Sequence, residues 1–204
     1  MTENKGIMLV VSGPAGSGKG TVNAMLLKRD DFAFSVSATT RAARPGEVDG
    51  INYHFITREG SIERINSGDM LEYTEYCGNF YGTPLKEAEE VLRSGKNLIL
   101  EIEVEGAMNV KRKYPDAVLV LLLPPSYSVQ EERLRGRGTE TEEKILQRLA
   151  RAKEEVALAD RYDYVVYNYD GKADEAAAHI LSIVDAEKRS IKRNGGVAER
   201  YLNS

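Results

Sequence analysis

Ile7-Met-Leu-Val-Val-Ser12, followed without a break by Gly13-Pro-Ala-Gly-Ser-Gly-Lys-Gly-Thr21, decides how this chain folds. A short apolar run that breaks into glycines and then a lysine reads as a buried strand, a tight turn and the start of a helix. Such a turn is a cradle for anions. Successive backbone N–H groups and the helix N-terminus point at one spot, and Lys19 adds a mobile positive charge. Glycine is needed where the turn visits positive φ and where the backbone must approach a phosphate closely. Gly13, Pro14, Ala15, Gly16, Ser17, Gly18, Lys19, Gly20 and Thr21 are therefore candidate phosphate-binding residues. One position departs from the common pattern. Gly20 stands where Ser or Thr usually follows the lysine, so the hydroxyl that meets Mg²⁺ is missing. Thr21 is expected to reach a phosphate oxygen instead.

The 204 residues can bury a substantial core as one domain. Hydrophobic residues at 42% and charged residues at 29% describe an ordinary globular protein. A net charge of −4 provides no global positive field to collect nucleic-acid phosphates, so any anion site must be local. The single cysteine, Cys77, excludes an internal disulfide and suits a reducing compartment; it reads as structural or incidental. No signal-peptide pattern precedes the first strand and no apolar run has the length of a membrane span, so the expected location is the cytoplasm.

Ile7–Val11, Asn97–Ile102, Ala117–Leu122 and Tyr164–Tyr167 read as buried strands. Helices are expected at Lys19–Lys28, Lys86–Ser94, Gly106–Lys113, Val129–Arg135, Glu142–Leu158 and Ala173–Arg193, with Gly95 ending the second and Thr141 capping the fifth. Continuous apolar strands alternating with helices predict an α/β fold, a parallel sheet flanked by helices. From 35 to 84 the pattern changes to alternation and glycines, which predicts a small β-rich insert. Arg133, Arg135, Arg137, Arg148 and Arg151 crowd a later polar stretch with Gly136 and Gly138, which predicts a mobile flap. The expected division is a single domain over 1–204, with a core at 1–34, 85–130 and 159–204, an insert at 35–84 and a lid at 131–158. From Lys192 a fraying helix end and polar tail are expected.

Thr39-Thr-Arg41-Ala-Ala-Arg44-Pro-Gly-Glu places two arginines three apart on a turn. Two guanidinium forks can grip one phosphate. Taken alone, the spacing favours a solvated surface pair of little energetic value. The wider pattern decides between them. Ser35-Val-Ser-Ala-Thr-Thr-Arg-x-x-Arg-x-Gly-Glu-x-Asp-Gly-x-x-Tyr53-x-Phe, then Glu72, Gly78-Asn-Phe-Tyr81-Gly-Thr83 and Arg133-Leu-x-x-Arg137-Gly-Thr-Glu-Thr141, strongly resembles guanylate kinase from about Ile7 to Ile183.

The resemblance implies a nucleoside-monophosphate-kinase fold with a GMP-binding insert and a lid. It also implies the reaction ATP + GMP ⇌ ADP + GDP, with dGMP a second acceptor, serving purine metabolism and GMP recycling. Residues 13–21, with Arg133, Arg137 and Asn168, match positions that bind ATP, Asn168 lying near the adenine. Arg41, Arg44, Tyr53 and Tyr81 match residues holding the GMP phosphate, and Ser37 and Thr83 match hydroxyls facing guanine O6. Glu72 matches the carboxylate that accepts from guanine N1–H and its 2-amino group. Adenine has neither donor there, and losing such designed bonds can cost ~10⁴–10⁵ in discrimination.

Glu101 and Glu103 stand two apart at the end of the second core strand, so alternation turns both to the ligand side. The family usually has Asp where Glu103 stands; contact with the guanine amino group or nearby water is its expected role, while Glu101 is expected to contact GMP or orient metal-bound water. Lys19, Arg41, Arg133, Arg137 and Arg148 are the expected catalytic set, acting by alignment and charge neutralisation with no general base. Mg²⁺ is expected to arrive with ATP, held mainly by phosphates and water. Small-molecule nucleotides are the expected partners, with neither nucleic acid nor membrane among them, and the sequence is silent on oligomeric state. Three rivals are a kinase for another small molecule, a non-enzymatic protein-binding module and an ATP-triggered switch.

Overall fold

The computed structural model describes residues 5–76, 78–136, 138 and 141–203. Cys77 and Arg137 lie outside the described residues. In chain order the elements begin with β1 (Met8–Ser12), α1 (Lys19–Leu26), β2 (Phe32–Phe34), β3 (Ala38–Thr39) and β4 (His54–Phe55). They continue with α2 (Arg58–Ser67), β5 (Met70–Tyr76), β6 (Asn79–Pro84), α3 (Leu85–Arg93), β7 (Asn97–Glu101) and α4 (Val104–Lys113). The remainder are β8 (Val118–Leu123), α5 (Tyr127–Gly136), α6 (Glu142–Val156), β9 (Tyr164–Tyr167), α7 (Ala173–Arg189) and α8 (Val197–Leu202).

Five parallel strands in the order β2-β7-β1-β8-β9 form the central sheet. β1 lies between β7 and β8, with Val10 opposite Leu100 on one side and Leu119 on the other. Every residue of β1 is buried, as a strand covered on both faces requires. Its side chains divide by alternation. Leu9 and Val11 join Val22, Leu26, Val120, Ile180 and Val184 under α1 and α7, while Met8 and Val10 join Leu71, Leu98, Ala107, Val110 and Leu119 under α3 and α4.

A second sheet, β4-β3-β6-β5, holds the segment from Ala38 to Pro84. It combines an antiparallel β5–β6 pair with a parallel β3–β4 pair. Leu71 of β5 is buried in the core beneath α3 and α4, so this small sheet is anchored to the large one.

The structure corrects the sequence reading in five places. The central sheet has a fifth strand, β2, which pairs with β7 through Phe32 and Asn97; a three-residue run carries too little pattern to be noticed. Tyr164–Tyr167 is an edge strand in which Val166 is buried against α7 while Val165, on the opposite face, is 51% exposed. A helix, α2, interrupts the β-rich segment, and α7 stops at Arg189 with α8 beyond it. Thr141 occupies the N-cap position of α6 without a side-chain bond to the helix. Gly95, at φ +82, closes α3 as expected, its N–H donating to the Leu92 carbonyl.

Candidate active site

The C-terminal ends of β1, β7 and β9 lie along one edge of the central sheet, where ligands bind in open parallel sheets. After β1 the chain turns through Gly13–Gly18 and enters α1 at Lys19. Gly18 is the N-cap, at φ +89, and contributes no side-chain cap, so the first-turn amides of α1 are left for an anion. A Cβ on Gly18 would stand 2.3 Å from Asn168 Nδ2, and one on Gly13 would stand 2.1 Å from the Leu122 carbonyl oxygen. Both glycines are therefore dictated by close approach. Lys19 folds back over the loop and donates from Nζ to the Gly13 carbonyl at 2.5 Å.

Three side chains hold this loop from behind. Gln130 Nε2 donates to the Ala15 carbonyl at 2.8 Å, Arg133 Nη1 to Gly16 at 3.2 Å, and Asn168 Nδ2 to Ser17 at 2.9 Å. Arg133 also donates to the Asn168 carbonyl and to Asp170. The structure thus places Asn168 beneath the loop with its amide nitrogen engaged, and Arg133 in a network with the loop backbone. Arg148 lies half-buried on α6, and Arg137 lies outside the described residues. Arg135 pairs with Glu131 and Glu142, and Arg151 with Glu155.

In front of the loop a cavity of about 260 Å³ is lined by Lys19, Ser37, Tyr53, Glu72, Tyr81, Glu101 and Glu103, together with Thr74, Gly82 and Ile102. Glu72 is buried, and its Oε1 accepts from Thr83 Oγ1 at 2.9 Å. Burial pushes this carboxyl up to about 7, a rise that the bonds from Thr83 only partly oppose. Gly106 permits the fit, since a Cβ there would stand 3.1 Å from Glu72 Oε2. Thr83 thus bonds a buried acid, and Ser37 lines the same cavity.

Arg41 stands beside the cavity wall, its guanidinium 5.4 Å from the centre of the Tyr53 ring, and Tyr53 meets Tyr81 edge-on at 6.2 Å. Its Nη2 donates to both oxygens of Glu47 at 2.9 Å, while Glu47 Oε2 also accepts from the Arg44 N–H at 2.7 Å. Those bonds hold the Glu47 carboxyl below its ordinary range, against its own desolvation. Arg44 is exposed on the same turn.

Glu101 and Glu103 reach the cavity by different routes. Glu101 ends β7 and accepts from Asn23 Nδ2 at 2.8 Å, whereas Glu103 lies past the strand at the N-cap of α4. Strand alternation therefore explains only the first. Glu47, Gln130, Asp170, Asn23 and Thr74 escaped the sequence reading. Glu47 alone carried a local signal, six residues after Arg41 on a Pro-Gly turn; the others meet the site only through tertiary contacts.

Comparison with known proteins follows the same lines. The family model described as guanylate kinase matches residues 5–187. The guanylate kinase of Streptococcus thermophilus (strain CNRZ 1066) is 50% identical over 191 residues, covering 93% of this chain and 90% of that protein. That of Lactococcus lactis subsp. lactis (strain IL1403) is 48% identical over 200 residues, covering 98% and 95%. The crystal structure of guanylate kinase from Anaplasma phagocytophilum superposes with a TM-score of 0.76 at 34% identity, covering 96% of this chain and 93% of that one. With the phosphate loop, the buried acid and the shared cavity already in place, these matches show that the chain belongs to the guanylate kinase family.

Proposed function

We propose that this chain transfers the γ-phosphoryl group of ATP to GMP, and to dGMP, through the residues assembled around its central cavity. One observation carries the reading: a buried carboxylate flanked by Thr83 lines the same cavity as the phosphate-loop lysine. Glu72 accepts from guanine N1–H and the 2-amino group, with Ser37 and Thr83 at O6. Arg41, Arg44, Tyr53 and Tyr81 hold the acceptor phosphate, with Glu47 orienting Arg41 and closing the Arg44 turn.

The donor phosphates rest on the amides of residues 13–21, with Lys19 leaving the Gly13 carbonyl to meet them. Neither a general base nor a covalent intermediate is needed, because the attacking phosphate oxygen is largely ionised near neutral pH. The barrier falls through alignment and through neutralising charge on the equatorial oxygens. Segments 35–84 and 131–158 act as insert and lid, closing so that Arg137 and Arg148 reach the transferring group and water is excluded. Arg133 and Asn168 shape the donor side.

Glu101 and Glu103 face the cavity beside Lys19, a hard-oxygen pair that suits water-bound Mg²⁺ carried by nucleotide phosphates. The two glutamates would hold the water of that ion, which would supply positive charge to offset the donor phosphates. No helix among the described residues is long and apolar enough to cross a membrane, and we place the reaction in the cytoplasm, where ATP and GMP meet.

A coupled assay with ATP and a panel of GMP, dGMP, AMP, CMP and UMP tests the reading. Turnover should be confined to the guanine nucleotides. Equal use of AMP, or no turnover with any acceptor, would contradict it.

A further inference from the structure

The Ala15, Gly16 and Ser17 carbonyls of the phosphate loop are held by three separate side chains, and one of these, Gln130, does not line the cavity in front of the loop. Gln130 sits in the first half of α5, is only 3% exposed, and spends its amide nitrogen on Ala15, which is 115 residues away in sequence. The contact is more than one bond. Gln130 Cγ lies 3.5 Å from where a Cβ on Gly16 would stand, and the Ala15 side chain packs on Leu134, Ile145 and Leu149 of α5 and α6.

A trans peptide sets its C=O and N–H antiparallel. Fixing the Ala15 carbonyl toward α5 therefore turns the Gly16 N–H to the opposite side of the backbone, and fixing the Ser17 carbonyl on Asn168 does the same for the Gly18 N–H. The intervening Ser17 N–H closes the turn on the Pro14 carbonyl at 3.2 Å. The loop's peptide orientations are thereby set before any anion arrives. Donors fixed in advance bind developing or fixed charge without a reorganisation cost.

We propose that Gln130 is a positioning residue for the donor nucleotide: it aims the loop amides at the ATP phosphates without touching them. The inference rests on the reading that residues 13–21 hold ATP. A buried glutamine that only satisfied a stray carbonyl would affect stability alone. A residue that aims the loop affects the donor and spares the acceptor.

The test is steady-state kinetics of Gln130→Met, which keeps length and bulk but has no donor, and of Gln130→Leu, which removes donor and acceptor together. KM for ATP should rise about tenfold in each, the loss of one buried hydrogen bond. KM for GMP should stay within about twofold. In ¹⁵N-resolved spectra the Gly16 and Gly18 amides should move in whichever variant is folded. ATP KM unchanged in a folded variant, or ATP and GMP KM rising together, overturns the proposal. Failure of the wild-type protein to transfer phosphate from ATP to GMP would instead overturn the function on which it rests.

Discussion

At the scale of single residues, Glu72 joins stability to function. Raising its carboxyl from 4.5 to about 7 means that ionising it costs the folded protein about 3 kcal/mol. The penalty is absent below the unfolded value of 4.5, grows as pH rises to 7, and is constant above. Glu72→Gln should therefore unfold at a higher temperature than the wild type at pH 8, with the gain fading towards pH 4.5 in thermal melts. Guanine needs the ionised acid. GMP affinity, read by calorimetry, should weaken by up to about tenfold per unit as pH falls below 7, while Glu72→Gln should retain only the dependence due to the nucleotide phosphate near pH 6 and should discriminate poorly against AMP. Lys19→Ala should lower kcat by ~10²–10³ or more with little change in melting temperature, since the side chain is released to the donor phosphates and buries little. The motif around Lys19 was legible from residue types alone, whereas the Arg41–Arg44 spacing needed the wider resemblance to be read as a phosphate grip. Glu72 was legible only through resemblance, because nothing about a lone glutamate in an alternating strand reveals that it is buried.

At the scale of elements, the phosphate loop is set by both its own glycines and what stands behind them. Gly18→Ala would place a Cβ on Asn168 Nδ2 and hold a non-glycine residue at φ +89. It should cost about 1–2 kcal/mol from the backbone alone and raise KM for ATP, read by denaturant melts and kinetics together. The turn from Arg41 to Glu47 works similarly in the acceptor pocket. Glu47→Ala frees Arg41 from its partner and opens the Arg44 turn, so KM for GMP should rise several-fold while KM for ATP stays put. The long apolar strands and six of the helices could be read from periodicity. Helix α2 could not, because Ser61 is its only buried residue and no apolar stripe marks it. Its caps were the available signal: Thr57 Oγ1 accepts from the Gly60 N–H at 3.0 Å, and Gly68 ends the helix at φ +79. Strand β2 escaped for the opposite reason. Its identity comes from pairing with β7, and a pairing partner is invisible in three residues.

At the scale of the whole molecule, a chain of net charge −4 sets Lys19 and three glutamates in the wall of one cavity, with Arg41 stacked near its Tyr53. The fold achieves this by bringing the ends of three parallel strands to a common edge and laying a small sheet across it. Composition and periodicity reached the central sheet; the second sheet's pairing, and the packing of α5 and α6 on Ala15, required the folded structure. ATP and GMP together should draw segments 35–84 and 131–158 inward, seen as a smaller radius of gyration in solution scattering than with either nucleotide alone. The most direct test is a crystal structure with GMP and a non-transferable ATP analogue bound together. It should show guanine N1 and the 2-amino group on Glu72, the acceptor phosphate against Arg41, Tyr53 and Tyr81, and the donor phosphates on the amides of residues 13–21. A guanine ring turned away from Glu72, or donor phosphates seated off the loop, would contradict the account.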